Sequence, residues 1–282
     1  MTALRPDCPL CGAAAPAPFL RRDRVPVHQN LPQPSAAAAR AVPRGTLAMA
    51  ACAACGFVFN RAFDPALLRY GPGYDNTQAR SPRFAAHLDA LARHLVQRRG
   101  VRGARIVEIG CGDGDFLRRL IDWPGAGNRG IGFDPAYRGA DSERGGRLRF
   151  VRDRYRGEPA DVVICRHVIE HIAEPRALLA ALGPARVFFE TPCAGWILRR
   201  TVLWDFFYEH CSLFSAGSLA FAFARAGFAP RRVRRVFDGQ YLWLEAAPAA
   251  AAAVPRPGAI AALARRYGAA EPALLAASRA RL

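Results

Sequence analysis

The chain has 282 residues, 51% of them hydrophobic, which is enough for one α/β domain with a sizeable core and a smaller module. Its formal net charge is +17, and all 40 basic residues are Arg, so the charge reflects coding bias as much as function. The arginines are dispersed, with short clusters at Arg231-Arg232 and Arg234-Arg235, and no run interleaves them with aromatics as a single-strand binder would. Nucleic acid is therefore a disfavoured partner, whereas a phosphate-bearing small molecule suits the basic balance. No apolar run is long enough to span a bilayer. Pro6, Asp7 and Cys8 stand where a signal peptide would need an apolar core. These features predict a cytoplasmic protein with reduced or metal-bound cysteines and no membrane partner.

In chain order, Cys8-Pro9-Leu10-Cys11 and Cys52-Ala53-Ala54-Cys55-Gly56 come first. Two CxxC turns can offer four thiolates to one structural Zn2+, leaving no open position for catalysis. Four unrelated thiols, or a redox pair, are the plainer alternatives. The long intervening segment must carry structure of its own. His28 within it either faces a substrate or caps a turn, and the cap is the simpler role. Phe57-Val58-Phe59-Asn60 reads as a short strand closing a module over residues 1–70. Tyr70 to Asn76 is a turn-rich linker with two tyrosines. Ser81-Pro82 reads as a helix start, and the helix runs to about Arg99 with Phe84, Leu88, Leu91 and Leu95 on one face. His87 and His94 on it are most simply surface or flank residues.

Arg105 to Ile109 is an apolar run carrying Glu108, and Gly110-Cys111-Gly112-Asp113-Gly114 follows before a helical pattern starts. This is a buried strand, a tight turn and a helix start. Glycine allows positive φ and close approach of a ligand to the backbone. The E-x-G-x-G-x-G spacing differs from the dinucleotide fingerprint. It resembles the first motif of class I S-adenosylmethionine-dependent methyltransferases. That resemblance implies that Glu108 serves the methionine ammonium end and that Gly110, Gly112 and Gly114 make room for the cofactor.

Arg129 to Phe133 is a second strand ending at Asp134, which is placed to grip a ribose. As a mere turn residue before Pro135 it would need no ligand. Leu148 to Val151 is a third strand, and the resemblance makes Asp153 beyond it an acceptor for the adenine amino group. Asp161 to Cys165 is a fourth, running into His167-Val168-Ile169-Glu170-His171-Ile172. His167-x-x-Glu170-His171 also matches an inverted zinc-protease helix, but it follows a buried strand directly. The methyltransferase pattern fits better, with His167, Glu170 and His171 toward the sulfonium side. Arg186 to Pro192 is a fifth strand. Trp204 to Ser215 is an aromatic stretch enclosing Tyr208-Glu209-His210, which a packing helix could also explain. Gly217 to Ala226 is helical. Arg231–Phe237 and Gln240–Ala246 alternate as a hairpin turned at Asp238-Gly239. These elements predict an α/β Rossmann-like class I methyltransferase sheet with a reversed last strand over residues 71–248. An alanine-rich helical tail follows over 249–282, broken at Pro255 and Pro257.

The whole combination resembles the zinc-containing C-methyltransferases of deoxysugar biosynthesis. The resemblance covers Cys8, Cys11, Cys52 and Cys55, Tyr74, the glycine turn, Glu170-His171 and Tyr208-Glu209-His210. It implies S-adenosyl-L-methionine and structural zinc as cofactors, and methylation of a carbon beside a ketone on a nucleotide-linked sugar. By motif, His210, Glu209, Tyr208 and His171 become the catalytic candidates and Tyr74 a cofactor-side residue. His210 supported by Glu209 would remove the proton, with Tyr208 or His171 stabilising the enolate oxygen. Many sugar-methylating members carry Tyr-His-Glu-His, one residue longer than the run here. The family's C-terminal domain would begin where this sequence stops. The competing readings are a zinc-containing RNA methyltransferase, a non-catalytic S-adenosylmethionine-binding protein and an O-methyltransferase. The first lacks the Asn/Asp-Pro-Pro-aromatic loop after the fourth strand, where Cys165-Arg166-His167 stands instead.

Overall fold

The computed structural model describes residues 4–69, 73–74, 81–250 and 258–280. Most of the linker between Tyr70 and Asn76, and Pro255 and Pro257, therefore lie outside the described residues.

The N-terminal segment builds an antiparallel sheet from β1 (Leu20–Pro26), β2 (Arg44–Ala51) and β3 (Val58–Asn60), with the short helix α1 (Ala36–Ala41) between the first two. Asn60 locks this sheet from inside. Its Oδ1 accepts from the N–H groups of Ala48 at 2.8 Å and Ala62 at 3.0 Å, and its Nδ2 donates to the Thr46 carbonyl at 3.0 Å.

Helix α2 (Pro82–Arg93) starts at Ser81, whose Oγ accepts from the Phe84 N–H. A π-turn over His94–Arg98 continues it, and Phe84, Leu88, Leu91 and Leu95 are all buried as their spacing requires. The strands β4 (Arg105–Ile109), β5 (Arg129–Phe133), β6 (Ser142–Glu143), β7 (Leu148–Val151), β8 (Val162–Arg166) and β9 (Arg186–Pro192) follow, with α3 (Asp115–Ile121) after β4 and α4 (Pro175–Ala180) after β8. Then come α5 (Ala194–Arg200), β10 (Ser212–Leu213), α6 (Ala216–Arg225), β11 (Phe228–Val236), β12 (Tyr241–Pro248) and α7 (Ile260–Arg279).

The main sheet runs β11-β12-β9-β8-β4-β5-β7-β6. The five central strands are parallel, β12 is antiparallel to β9, and β11 is antiparallel to β12. This is the predicted sheet with its reversed last strand, extended by the two-residue edge strand β6. Residues alternate between two cores. Val162 and Ile164 face the layer of α2 and α3, while Val163 and Cys165 face α4, α6 and the N-terminal residues Leu10, Phe57 and Phe59. Strands buried on both faces need the near-continuous apolar runs that the sequence shows.

Strand β10 does not join this sheet. It pairs with β3, so the N-terminal sheet takes its fourth strand from beyond His210. Helix α7 packs on the same sheet: Tyr267 and Ala264 share a core with Leu47 and Met49, and Arg22 Nε donates to Glu271 Oε1 at 2.8 Å. A Cβ at Gly268 would lie 2.1 Å from the Phe19 carbonyl oxygen, which is why the helix can approach so closely there. Among the described residues no helix is long and apolar enough to cross a membrane.

Two expectations are corrected here. His87 and His94 are not surface residues of α2. His87 Nε2 lies 2.5 Å from Glu190 Oε1, and His94 Nε2 lies 2.8 Å from Glu245 Oε1. A buried carboxylate on the sheet needs a partner, and α2 carries one imidazole to each.

Candidate active site

The site gathers at the carboxyl ends of the parallel strands, beside the point where the strand order reverses around β4. The chain leaves β4 through Gly110, Gly112 and Gly114, at φ of 68°, 57° and 84°. Side chains would be obstructed as well as strained. A Cβ on Gly110 would stand 2.1 Å from Val168 Cγ2, and one on Gly114 2.4 Å from Phe150 Cε1.

Glu108 lies beneath this turn at 2% exposure, and its Oε2 has no hydrogen-bond partner among the described residues. Burial pushes its carboxyl up to about 8, against the opposing charge of Arg166. Asp134, at the end of β5, is 6% exposed. Its Oδ2 accepts from Gly112 N–H at 2.8 Å and its Oδ1 from Ala136 N–H at 2.8 Å. Burial raises its carboxyl despite these two donors. The structure thus brings Asp134 directly against the glycine turn. A buried acid under the turn with one oxygen unpartnered among the described residues, and a second acid beside it, fit the ammonium and ribose of S-adenosylmethionine.

Asp153 is placed differently. It is exposed after β7, accepts from its neighbour Arg154 N–H at 2.7 Å and pairs with Arg156 at 3.1 Å. Those donors hold its carboxyl below the usual range.

After β8 the backbone enters the left-handed region at His167, φ 53°. The ring is held between two carboxylates, with Nδ1 3.5 Å from Glu170 Oε1 and Nε2 3.5 Å from Glu190 Oε2. Burial alone would lower its pKa, but the two acids outweigh burial and raise it to about 9. Glu190, fully buried on β9, also receives Arg166 Nε at 2.9 Å and His87. Despite its burial, this cationic surround holds its carboxyl well below the ordinary range. Sequence reasoning missed Glu190, Arg166 and His87 as a unit. The available signal was an acid inside the apolar run Val187-Phe188-Phe189-Glu190.

Glu170, His171 and His210 converge, their ligand atoms all lying within 4.8 Å of one another. The His171 and His210 rings meet edge to face at 4.9 Å. Glu170 Oε2 accepts from Thr191 Oγ1 at 3.0 Å, and Cys211 Sγ donates to the Glu170 carbonyl at 3.7 Å. Burial lowers the pKa of both imidazoles, that of His210 to about 3, so both are neutral near pH 7.

Tyr208 and Glu209 are not brought into that cluster as the motif implies. Tyr208 is 1% exposed, and its hydroxyl accepts from Asp64 N–H at 2.8 Å and donates to Asp64 O at 3.3 Å. Its ring fills the space over Gly45, where a Cβ would come within 2.1 Å of it. It is a strut between the Tyr208–His210 run and the N-terminal sheet. Glu209 Oε2 accepts from Gln29 N–H at 2.7 Å, and Tyr74 is hydrogen-bonded to both Glu209 and Asn30. Burial, then the charge of Glu209, raises the Tyr74 phenol. The carboxylate that converges with His210 and His171 is that of Glu170. His28 Nε2 accepts from Arg69 N–H at 3.0 Å, which is the capping role.

The four N-terminal cysteines form a compact group. Cys8 and Cys55 sulfurs are 3.7 Å apart, and those of Cys11 and Cys52 3.6 Å. The two turns are built alike: Gly12 N–H donates to Cys8 O, and Gly56 N–H to Cys52 O, each at 2.9 Å, with both glycines at positive φ. Sulfurs at about 2.3 Å from one zinc, arranged as a tetrahedron, stand about 3.8 Å apart, so this set fits the ion.

The sheet order and the site at its carboxyl edge define a class I methyltransferase, the S-adenosylmethionine-dependent kind. A family profile described as "Methyltransferase domain" matches residues 84–233. The chain belongs to that methyltransferase family. No curated protein sequence matches it. Among solved structures it is similar to a 1,6-didemethyltoxoflavin-N1-methyltransferase of Burkholderia thailandensis with bound S-adenosylhomocysteine, at 16% identity and TM-score 0.45 over 61% of this chain and 82% of that one. It is also similar to CalO1, a methyltransferase in calicheamicin biosynthesis, at 18% identity and TM-score 0.43 over 57% and 54%. The [4+2]-cyclase SpnF is similar at 14% identity and TM-score 0.46 over 64% and 87%.

Proposed function

We propose that this protein transfers a methyl group from S-adenosylmethionine to a carbon beside a ketone on a small-molecule acceptor, with nucleotide-linked keto-sugars as the acceptor class. The convergence of Glu170, His171 and His210 at the end of β8 carries this reading. S-adenosylmethionine supplies an already activated methyl, so the chain must align two partners and remove one proton. Glu108 and Asp134 hold the donor's ammonium and ribose. Asp153 lies further out, at the adenine side. His210, neutral at physiological pH, takes the proton from the acceptor carbon, and Glu170 stabilises the imidazolium that forms. His171 faces the enolate oxygen. The Glu209–Tyr74–Gln29 contact closes the N-terminal segment over this end. Cys8, Cys11, Cys52 and Cys55 hold a structural zinc that fixes that segment.

The test has two parts. With S-adenosylhomocysteine bound, a keto-sugar nucleotide in deuterated water should exchange its α-hydrogen, and His210→Ala should stop the exchange. With methyl-labelled S-adenosylmethionine, carbon NMR should place the label on carbon. Label on oxygen, or no affinity for S-adenosylhomocysteine, overturns the reading.

A further inference from the structure

We propose that Glu170, His171 and His210 form a second metal site, distinct from the four cysteines, that takes a divalent transition ion. Two imidazoles and one carboxylate are a donor set that suits zinc, iron and cobalt and leaves coordination positions open.

The three donor atoms lie close together in a buried, polar setting. Glu170 is fully buried, and its Oε1 faces His167 Nδ1 at 3.5 Å, a long ion pair. His210 Nδ1 is buried without a hydrogen-bond partner among the described residues. Leaving a buried polar atom unpaired is costly, and an ion bound here would give the His210 nitrogen a partner. Glu170 is also oriented in the way metal-binding carboxylates are. Its second oxygen, Oε2, takes the Thr191 hydroxyl at 3.0 Å, which fixes the carboxylate plane.

Ligand atoms on one ion lie roughly 3 Å apart, so loading draws the three side chains inward from their present spread of up to 4.8 Å. An ion here claims the nitrogen lone pairs assigned above to the acceptor's proton. That assignment rests on the methyl-transfer reading, but metal binding does not. Proton removal by His210 and metal binding are therefore alternative states of one cluster.

The experiment saturates the full-length reduced protein with Co2+ alone and counts total metal per chain. Absorbance separates the two environments, because a sulfur-bound ion gives intense near-ultraviolet thiolate bands and a nitrogen- and oxygen-bound ion does not. Two equivalents are expected, one of them without thiolate bands. Glu170→Gln and His210→Ala should each keep the sulfur-bound equivalent, which also reports that the variant is folded. Each should weaken the other equivalent at least tenfold. A single equivalent in the unaltered protein, or a second one undiminished in both variants, overturns the proposal. S-adenosylhomocysteine affinity is measured on the same samples, so loss of the methyl-transfer reading is seen separately.

Discussion

Gly112 N–H donates to Asp134 Oδ2 at 2.8 Å, tying the turn after β4 to the end of β5. One oxygen of Asp134 thus sets the glycine turn while the other holds the Ala136 N–H, and the proposed function gives the same carboxylate the ribose. Asp134→Asn removes the charge and keeps the shape. A hydrogen bond to a charged group contributes about 1.5–3 kcal/mol, so S-adenosylhomocysteine affinity should fall roughly 10- to 100-fold by titration calorimetry. Because both oxygens of Asp134 accept backbone N–H groups, the Asn amide sets an NH2 group against one of those donors, and the melting temperature should fall as well.

Glu108 gives a pH signature. Its carboxyl, raised to about 8 by burial, binds its proton more tightly in the folded than in the unfolded chain. The cofactor-free protein should therefore lose stability as pH rises from the ordinary glutamate range through about 8. Glu108→Gln should flatten that part of a melting-temperature-against-pH profile, and it should weaken S-adenosylmethionine at the same time. A variant that flattens the profile without losing affinity would remove Glu108 from the ammonium site.

Gly110→Ala combines two costs. Positive φ costs a non-glycine residue about 1–2 kcal/mol, and overpacking against Val168 adds about 1–3 kcal/mol. Unfolding in urea should show a loss of about 2–5 kcal/mol.

Glu190→Gln leaves Arg166 and His167 buried beside an uncharged partner. Breaking a buried ion pair from one side costs about 3–5 kcal/mol. The melting temperature should fall by more than for Asp134→Asn, and Arg166→Met in the same background should recover part of the loss.

Cys52→Ser should abolish zinc binding at the N-terminal site by elemental analysis. It should also open residues 8–60 to limited proteolysis while the main sheet survives. Retained zinc with an intact N-terminal segment would show that the other thiols suffice.

The main sheet was legible because strands buried on both faces are apolar throughout, and because Gly110, Gly112 and Gly114 mark a turn that few other residues allow. The strands β4, β5, β7, β8 and β9 could thus be read almost to their ends. The N-terminal sheet was not legible. Strand β1, Leu-Arg-Arg-Asp-Arg-Val-Pro, exposes most of its residues and reads as a solvated charge run. It pairs with β2, and its Arg22 meets Glu271 of α7 only in the folded chain. His87 and His94 look like helix-surface residues because their acids, Glu190 and Glu245, lie more than 100 residues away along the chain. No local periodicity records such a partner. Tyr208 shows the same limit in reverse: a motif suggested chemistry, and the fold spends the hydroxyl on the backbone of Asp64.

Strand β10 has a mechanical consequence. Ser212 and Leu213 pair with β3, Asn60 N–H donates to Cys211 O at 3.0 Å, and Ser215 Oγ donates to the carbonyl of Gly56 in the second cysteine turn. His210 is anchored one residue from this seam. The second cysteine turn and His210 therefore share one backbone support, so that order in the N-terminal segment and the placing of that imidazole are mechanically coupled.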